Sequence, residues 1–187
     1  EMKNIKKYIH KFFNFFGIEI TRFHPKKHSI FQLPVETVFD IGANTGQYAQ
    51  ELRNVGYSKK IISFEPLSKA HKELLSTALL DKDWHVHNRC AIGDKISCLE
   101  INISENSYSS SLMPMLEAHK KAAPLSKYIG KENVNVIPLS SIFEDYASYG
   151  CSNFLKIDTQ GFEHLVLKGI EEYFDSICGI ELELSII

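Results

Sequence analysis

The run Val38-Phe39-Asp40-Ile41-Gly42-Ala43-Asn44-Thr45-Gly46 carries the strongest chemical signal in the chain. An apolar stretch leads into it and a helical pattern leaves it, so its glycines sit where a strand turns into a helix. Gly42 and Gly46 let the main chain turn sharply and come close to a ligand. A dinucleotide-binding turn needs G-x-G-x-x-G, whose middle glycine lets the backbone approach a pyrophosphate; here Asn44 stands at that position. The Gly-Lys-Ser/Thr of a phosphate-binding loop is absent. Asp40, just ahead of the turn, repels phosphate and suits a ligand bearing an ammonium or sulfonium charge. S-adenosylmethionine carries both charges and has no phosphate.

A second carboxylate, Glu65, closes the run Ile61-Ile62-Ser63-Phe64-Glu65-Pro66. An acid roughly twenty residues after such a turn can accept hydrogen bonds from both ribose hydroxyls, a feature shared with nicotinamide enzymes. Pro66 makes a sharp exit from the strand. Further on, Ala91 is small enough to leave room for an adenine ring beside the third strand. The third charged group is Lys156, Asp158 and Glu163, within Phe154-Leu155-Lys156-Ile157-Asp158-Thr159-Gln160-Gly161-Phe162-Glu163. Charges in so apolar a strand are costly unless paired or functional. Lys156 and Asp158 are two apart and share one face of the strand, which fits a structural ion pair as well as a working one. As bases able to take a proton from a hydroxyl nucleophile, Asp158, Glu163 and Glu183 are the candidates, in that order, with Lys156 orienting Asp158 or binding the acceptor oxygen. His85 and His87 share a strand face but have no acidic partner at metal-ligand spacing, so no metal site is assigned. A divalent ion at Asp158 stays open, and His164 is expected to point away.

These residues need a scaffold that brings strand ends together. Strands are predicted over residues 35–41, 60–64, 85–90, 98–103, 134–139, 154–158 and 177–184. Helices are predicted over 45–55, 68–80 (with Ser68 as its cap) and 163–174. Alternation of strand and helix implies parallel strands with helices on both faces, an α/β, doubly wound, Rossmann-like sheet. One domain over residues 35–187 follows, with an N-terminal helical extension over 1–34. Within that extension Ile5, Tyr8, Ile9, Phe12, Phe13 and Phe16 form an apolar stripe opposite several lysines. Packing on the main domain is the expected fate of this stripe; peripheral membrane contact is the less favoured alternative.

The formal net charge is -2 and the isoelectric point about 6.5, which gives no general attraction to nucleic acid. No apolar run reaches transmembrane length, and no signal peptide is visible. Cys90, Cys98, Cys151 and Cys178 show no C-x-x-C pairing. Buried free thiols in a reducing, cytoplasmic setting are therefore expected.

Taken together, Phe39-Asp40-Ile41-Gly42-Ala43-Asn44-Thr45-Gly46, Phe64-Glu65-Pro66, Ala91-Ile92-Gly93-Asp94 and Leu155-Lys156-Ile157-Asp158-Thr159-Gln160-Gly161-Phe162-Glu163 resemble the FkbM family of S-adenosylmethionine-dependent methyltransferases. Val166-Leu167-Lys168-Gly169 and the serine-rich Ser109-Ser110-Ser111-Leu112 add to the likeness, which spans about residues 35 to 184. The resemblance implies the class I methyltransferase fold and O-methylation of a hydroxyl on a sugar, glycan or secondary metabolite. It implies a cofactor held by Asp40, Gly42, Ala43, Asn44, Gly46, Glu65, Pro66 and Ala91. In two places the chain departs from the family pattern. Ser140 follows Leu139 where the family carries an aspartate, and the chain stops at Ile187, before the further helix and two strands expected after residue 184. C-terminal truncation is the expectation. The alternatives are an NAD(P)-dependent oxidoreductase on the same type of sheet and a methyltransferase-fold binding domain without activity. The acceptor itself has no readable code in the variable segments.

Overall fold

A computed structural model describes residues 29–104 and 128–183 of the chain. The helix expected in the N-terminal extension, the serine-rich segment at 109–112 and the end of the chain lie outside these residues. In chain order the strands are β1 (Thr37–Ile41), β2 (Lys60–Phe64), β3 (Trp84–Val86), β4 (Ala91–Gly93), β5 (Ser97–Ser104), β6 (Tyr128–Pro138), β7 (Asn153–Ile157) and β8 (Ile177–Leu182). The α-helices are α1 (Gln47–Asn54), α2 (Ser68–Ala78), α3 (Phe143–Tyr146) and α4 (Glu163–Lys168), with a 3₁₀ segment at Glu171–Ser176.

Five strands form a parallel sheet in the order β3-β2-β1-β7-β8. β1 and β7 are buried at every position, as central parallel strands covered on both faces must be. Alternate residues feed two cores. Val38, Ile61 and Phe154 pack with Ala49 and Leu52 of α1 and Leu74 of α2. Phe39, Ile41, Ile62, Phe64, Leu155 and Ile157 pack on the other face with Phe143 of α3 and Val166 of α4. The chain runs outward from β1 to β3, then returns to begin again on the opposite side of β1 with β7. This reversal opens a crevice between the carboxyl ends of β1 and β7, where ligands of such sheets bind. A second sheet, β4-β6-β5, is built from the segment between the two halves, with β4 parallel and β5 antiparallel to β6.

The α/β, doubly wound, mostly parallel class is as expected, and β2 has the bounds read from sequence. Other elements differ for identifiable reasons. Of the strand expected over 85–90 only His85 and Val86 are strand, in β3, and the next strand, β4, starts beyond that range at Ala91 in the other sheet. The His87 amide still bonds the Ser63 carbonyl at 3.0 Å, after which the chain leaves the large sheet and re-enters the small one at Ala91. Ser68 does not cap α2: Leu67 occupies the cap position, and the Ser68 amide and hydroxyl donate to Glu132 of β6 at 3.0 and 2.9 Å. The helix expected over 163–174 stops at Lys168 and resumes as the 3₁₀ segment. Cys90 is buried, but Cys98 and Cys151 are exposed and Cys178 is half-buried; the first is hidden by the core while the others lie on strand or loop faces open to water. Among the described residues no helix is long and apolar enough to cross a membrane.

Candidate active site

The turn after β1 is wedged between its two neighbouring strands. The amides of Gly42 and Ala43 both donate to the Phe64 carbonyl at 3.0 Å, and the Asp158 amide donates to the Ile41 carbonyl at 2.9 Å. Gly42 has φ 80°, and a Cβ there would lie 1.9 Å from the Asp158 carbonyl oxygen. Only glycine fits both the conformation and the space. Asn44, at φ 50°, occupies the left-handed region that Asn tolerates better than most residues. Gly46 works differently from its neighbours: it is off the cavity wall, and a Cβ there would press on the Trp84 ring at 2.7 Å.

Glu65 joins the turn to β2. Its Oε2 accepts from the Asn44 amide at 2.8 Å and its Oε1 from the Leu67 amide at 2.8 Å. Burial pushes the Glu65 carboxyl up to about 7, against the pull of these two amides. Asp40 is fully buried; its Oδ2 accepts from the Ser63 hydroxyl at 3.3 Å, while Oδ1 has no partner. Burial raises its pKa to about 6, opposed first by the Lys156 ammonium. The Asn44 Oδ1 is likewise buried and unpartnered. Buried polar atoms are nearly always satisfied, and both of these exceptions belong to residues that border the cavity described below.

At the end of β7 a network of side chains takes over. Lys156 Nζ donates to Asp158 Oδ2 at 3.1 Å, and Gln160 Nε2 donates to Asp158 Oδ1 at 2.7 Å. The Lys156 ammonium also lies 5.5 Å from the centre of the Tyr48 ring, and the Tyr48 hydroxyl donates to Glu181 Oε2 at 3.2 Å. Glu183 sits beside Asp158, whose charge and hydrogen bond push the Glu183 carboxyl above its ordinary value. Glu163 is placed elsewhere: it is buried under its own loop, accepting from the Thr159 amide and hydroxyl at 3.2 Å and from the Gly161 amide at 2.9 Å. Its carboxylate holds the 159–161 loop in shape and is not on the cavity wall.

These groups surround a cavity of about 480 Å³, a size typical of small-molecule sites. Asp40, Gly42, Ala43, Asn44, Glu65, Pro66, Ala91, Lys156, Asp158 and Glu183, all named from sequence, line it. Sequence reasoning missed Tyr48, Gln160, Glu181 and Phe162, which line it too. Leu67, Ala91 and Ile101, which share one apolar cluster, line it together with Ile92 and Phe162. Carboxylates line the rest: Asp40, Glu51, Glu65, Asp158, Glu181 and Glu183, against one ammonium, Lys156, among the described residues. Among the described residues no group of three or more His, Cys, Asp or Glu side chains is arranged to hold a metal ion.

A parallel sheet with its cavity at the strand reversal, a glycine turn on one side and a carboxylate closing the next strand, is the architecture of an α/β methyltransferase. Residues 40–186 match the Methyltransferase FkbM domain, and the chain belongs to that family. Comparisons with curated proteins and with solved structures gave no match.

Proposed function

We propose that the protein is an S-adenosylmethionine-dependent O-methyltransferase whose acceptor is a hydroxyl of a sugar, glycan or other small metabolite. The observation that carries this reading is the cavity at the strand reversal, which is rich in carboxylates and bordered by two residues with orphan buried oxygens. Such a surface favours a cationic nucleoside and disfavours the phosphates of a dinucleotide, which speaks against the nicotinamide alternative.

The residues present fit the methyl donor. Each Glu65 oxygen has one backbone partner and retains acceptor capacity for a ribose hydroxyl. Asp40 Oδ1 and Asn44 Oδ1 await donors of the kind an α-ammonium supplies. The apolar lining at Ala91 and Phe162 suits a purine. When bound, the donor would supply an electrophilic methyl group on a sulfonium.

The chain's own residues would do the remainder. A hydroxyl is a weak nucleophile, and a base that takes its proton during attack accelerates the reaction. Asp158 is suited to act as that base, because Lys156 and Gln160 each hold one of its oxygens and its free lone pairs point in fixed directions. Fixed direction is what in-line displacement requires. Glu183, beside Asp158 on the cavity wall, is the second candidate. Glu163 acts on the loop that carries Gln160.

Calorimetry of the whole chain with S-adenosylmethionine and S-adenosylhomocysteine tests the reading. Binding heat with both is expected. Labelled methyl transfer into pools of neutral glycans and small polyols then tests activity. No heat with either nucleoside rejects the methyl-donor assignment; binding without transfer to any pool favours a non-catalytic binding domain.

A further inference from the structure

The reacting end of the cavity holds one ammonium among several carboxylates, so the lysine has a choice of partners. The sheet register sets Ser63, Asp40, Lys156 and Glu181 side by side across β2, β1, β7 and β8. Register partners project to the same face. Here it is the face of Val38, Ile61 and Phe154, which α1 covers. Lys156 therefore has Asp40 on one neighbouring strand and Glu181 on the other, with Asp158 two residues along its own chain.

Each donor already bound to a carboxylate weakens its pull on a neighbouring ammonium. The Ser63 hydroxyl engages Asp40 Oδ2, and Ser63 is itself held by the Trp84 indole N–H at 2.9 Å. The Tyr48 hydroxyl engages Glu181 at 3.2 Å. The Tyr48 ring also lies against the ammonium, a contact that attracts a cation and shields it from water. Burial pushes the phenol pKa well above its ordinary value, so this hydroxyl stays a donor. Asp40 and Glu181 thus each face Lys156 with one oxygen engaged, Asp158 likewise accepts from Gln160, and the ion pair formed is with Asp158, at 3.1 Å.

We infer that Tyr48 and Glu181 are positioning residues: by satisfying Glu181 and laying its ring against the ammonium, Tyr48 commits Lys156 to Asp158. The inference rests on the proposed reading of Asp158 as the base.

Crystal structures of Tyr48→Phe and of Tyr48→Phe/Glu181→Gln, each paired with S-adenosylmethionine calorimetry, test it. Phenylalanine keeps the ring and removes only the hydroxyl. Freed, Glu181 competes for the lysine, and Nζ is expected to leave Asp158 for Glu181, opening the original contact past the ~4 Å limit of an ion pair. Neutralising Glu181 in the double variant removes the competitor and returns Nζ to Asp158. In the transfer assay, kcat is expected to fall on the order of tenfold in the single variant, with the KM for the methyl donor unchanged, and to recover in the double variant. An ammonium that stays on Asp158 in the single variant, or fails to return in the double, overturns the inference. Absence of binding heat in the unaltered chain would instead reject the methyltransferase reading, while the lysine's choice of partner is still read from the crystals.

Discussion

The two ends of the cavity are built by different means. At the end proposed to hold the nucleoside the backbone does the positioning: main-chain amides of Asn44 and Leu67 pin Glu65, and the turn itself is fixed by its fit against the ends of β2 and β7. At the reacting end side chains position one another: Gln160 and Lys156 hold Asp158, and Tyr48 holds Glu181. A backbone-built site is rigid because moving it means breaking strand ends. A site built from side chains has alternative pairings of similar energy, and its geometry depends on every member being present. The first suits a part that must grip one unchanging ligand. The second suits a part where charge must be placed relative to a reaction.

That contrast can be broken from either side. Asp158→Asn keeps the shape of the side chain but removes its ability to take a proton. Transfer is expected to fall by about 10³-fold, roughly 4 kcal/mol, with donor binding retained in calorimetry; a parallel loss of binding would move Asp158 out of the reacting end. Gly42→Ala attacks the other end through the backbone. A methyl group where the Asp158 carbonyl stands, at a positive φ, is expected to cost about 3 kcal/mol in urea unfolding and to abolish donor binding. Glu65→Ala removes the ribose acceptor and leaves two amides unpaired. A loss of about 30-fold in donor affinity, near 2 kcal/mol, is expected by calorimetry, and kcat at saturating donor should change little. If Glu65→Ala lowered kcat and left affinity intact, the division of the cavity into a gripping end and a reacting end would be wrong.

Legibility in the sequence follows the same division. Turn chemistry is local, so Asp40, Gly42 and Glu65 stood out by type and spacing, the family resemblance added Asn44, and each lines the cavity. Tyr48 and Glu181 were not, because their meeting joins residues 133 apart and depends on which strand lies beside β7. A tyrosine early in a helix and a glutamate on a half-exposed strand carry no pattern of their own. Glu163 was misread for the opposite reason. It lies close to Asp158 in sequence, but a carboxylate at a helix start is drawn to free amides in the turn before it, and Thr159 and Gly161 supply them. That the sheet is doubly wound and mostly parallel followed from alternation of elements, whereas its order β3-β2-β1-β7-β8 is seen only in the structure. The small sheet was not legible, since His85 to Cys90 read as one strand, whereas the chain leaves β3 after Val86 and enters the small sheet at Ala91.

The smallest expected effect separates stability from binding through pH. Burial raises Asp40 from 3.8 to about 6 and Glu65 from 4.5 to about 7. Between those limits the folded protein keeps protons that the unfolded chain has released. Unfolding free energy therefore falls as pH rises from about 4 to about 7, then levels off. Glu183, also raised, pulls in the same direction. Asp81 and Asp94, lowered by Arg53 and Lys168, act with the opposite sign but only below the ordinary carboxylate value. Donor affinity should run the other way, since a cationic ligand binds the ionised carboxylates and so tightens across the same window. Asp40→Asn removes one of the two main titrating groups and is expected to flatten the stability slope by about 1–2 kcal/mol between pH 4.5 and 7, measured by urea unfolding at fixed ionic strength. It should also weaken the pH dependence of S-adenosylmethionine binding. An unchanged slope in both measurements would mean that Asp40 is charged throughout, its Oδ1 satisfied from within the fold, and that the pH dependence of both stability and donor binding comes from other carboxylates, Glu65 first.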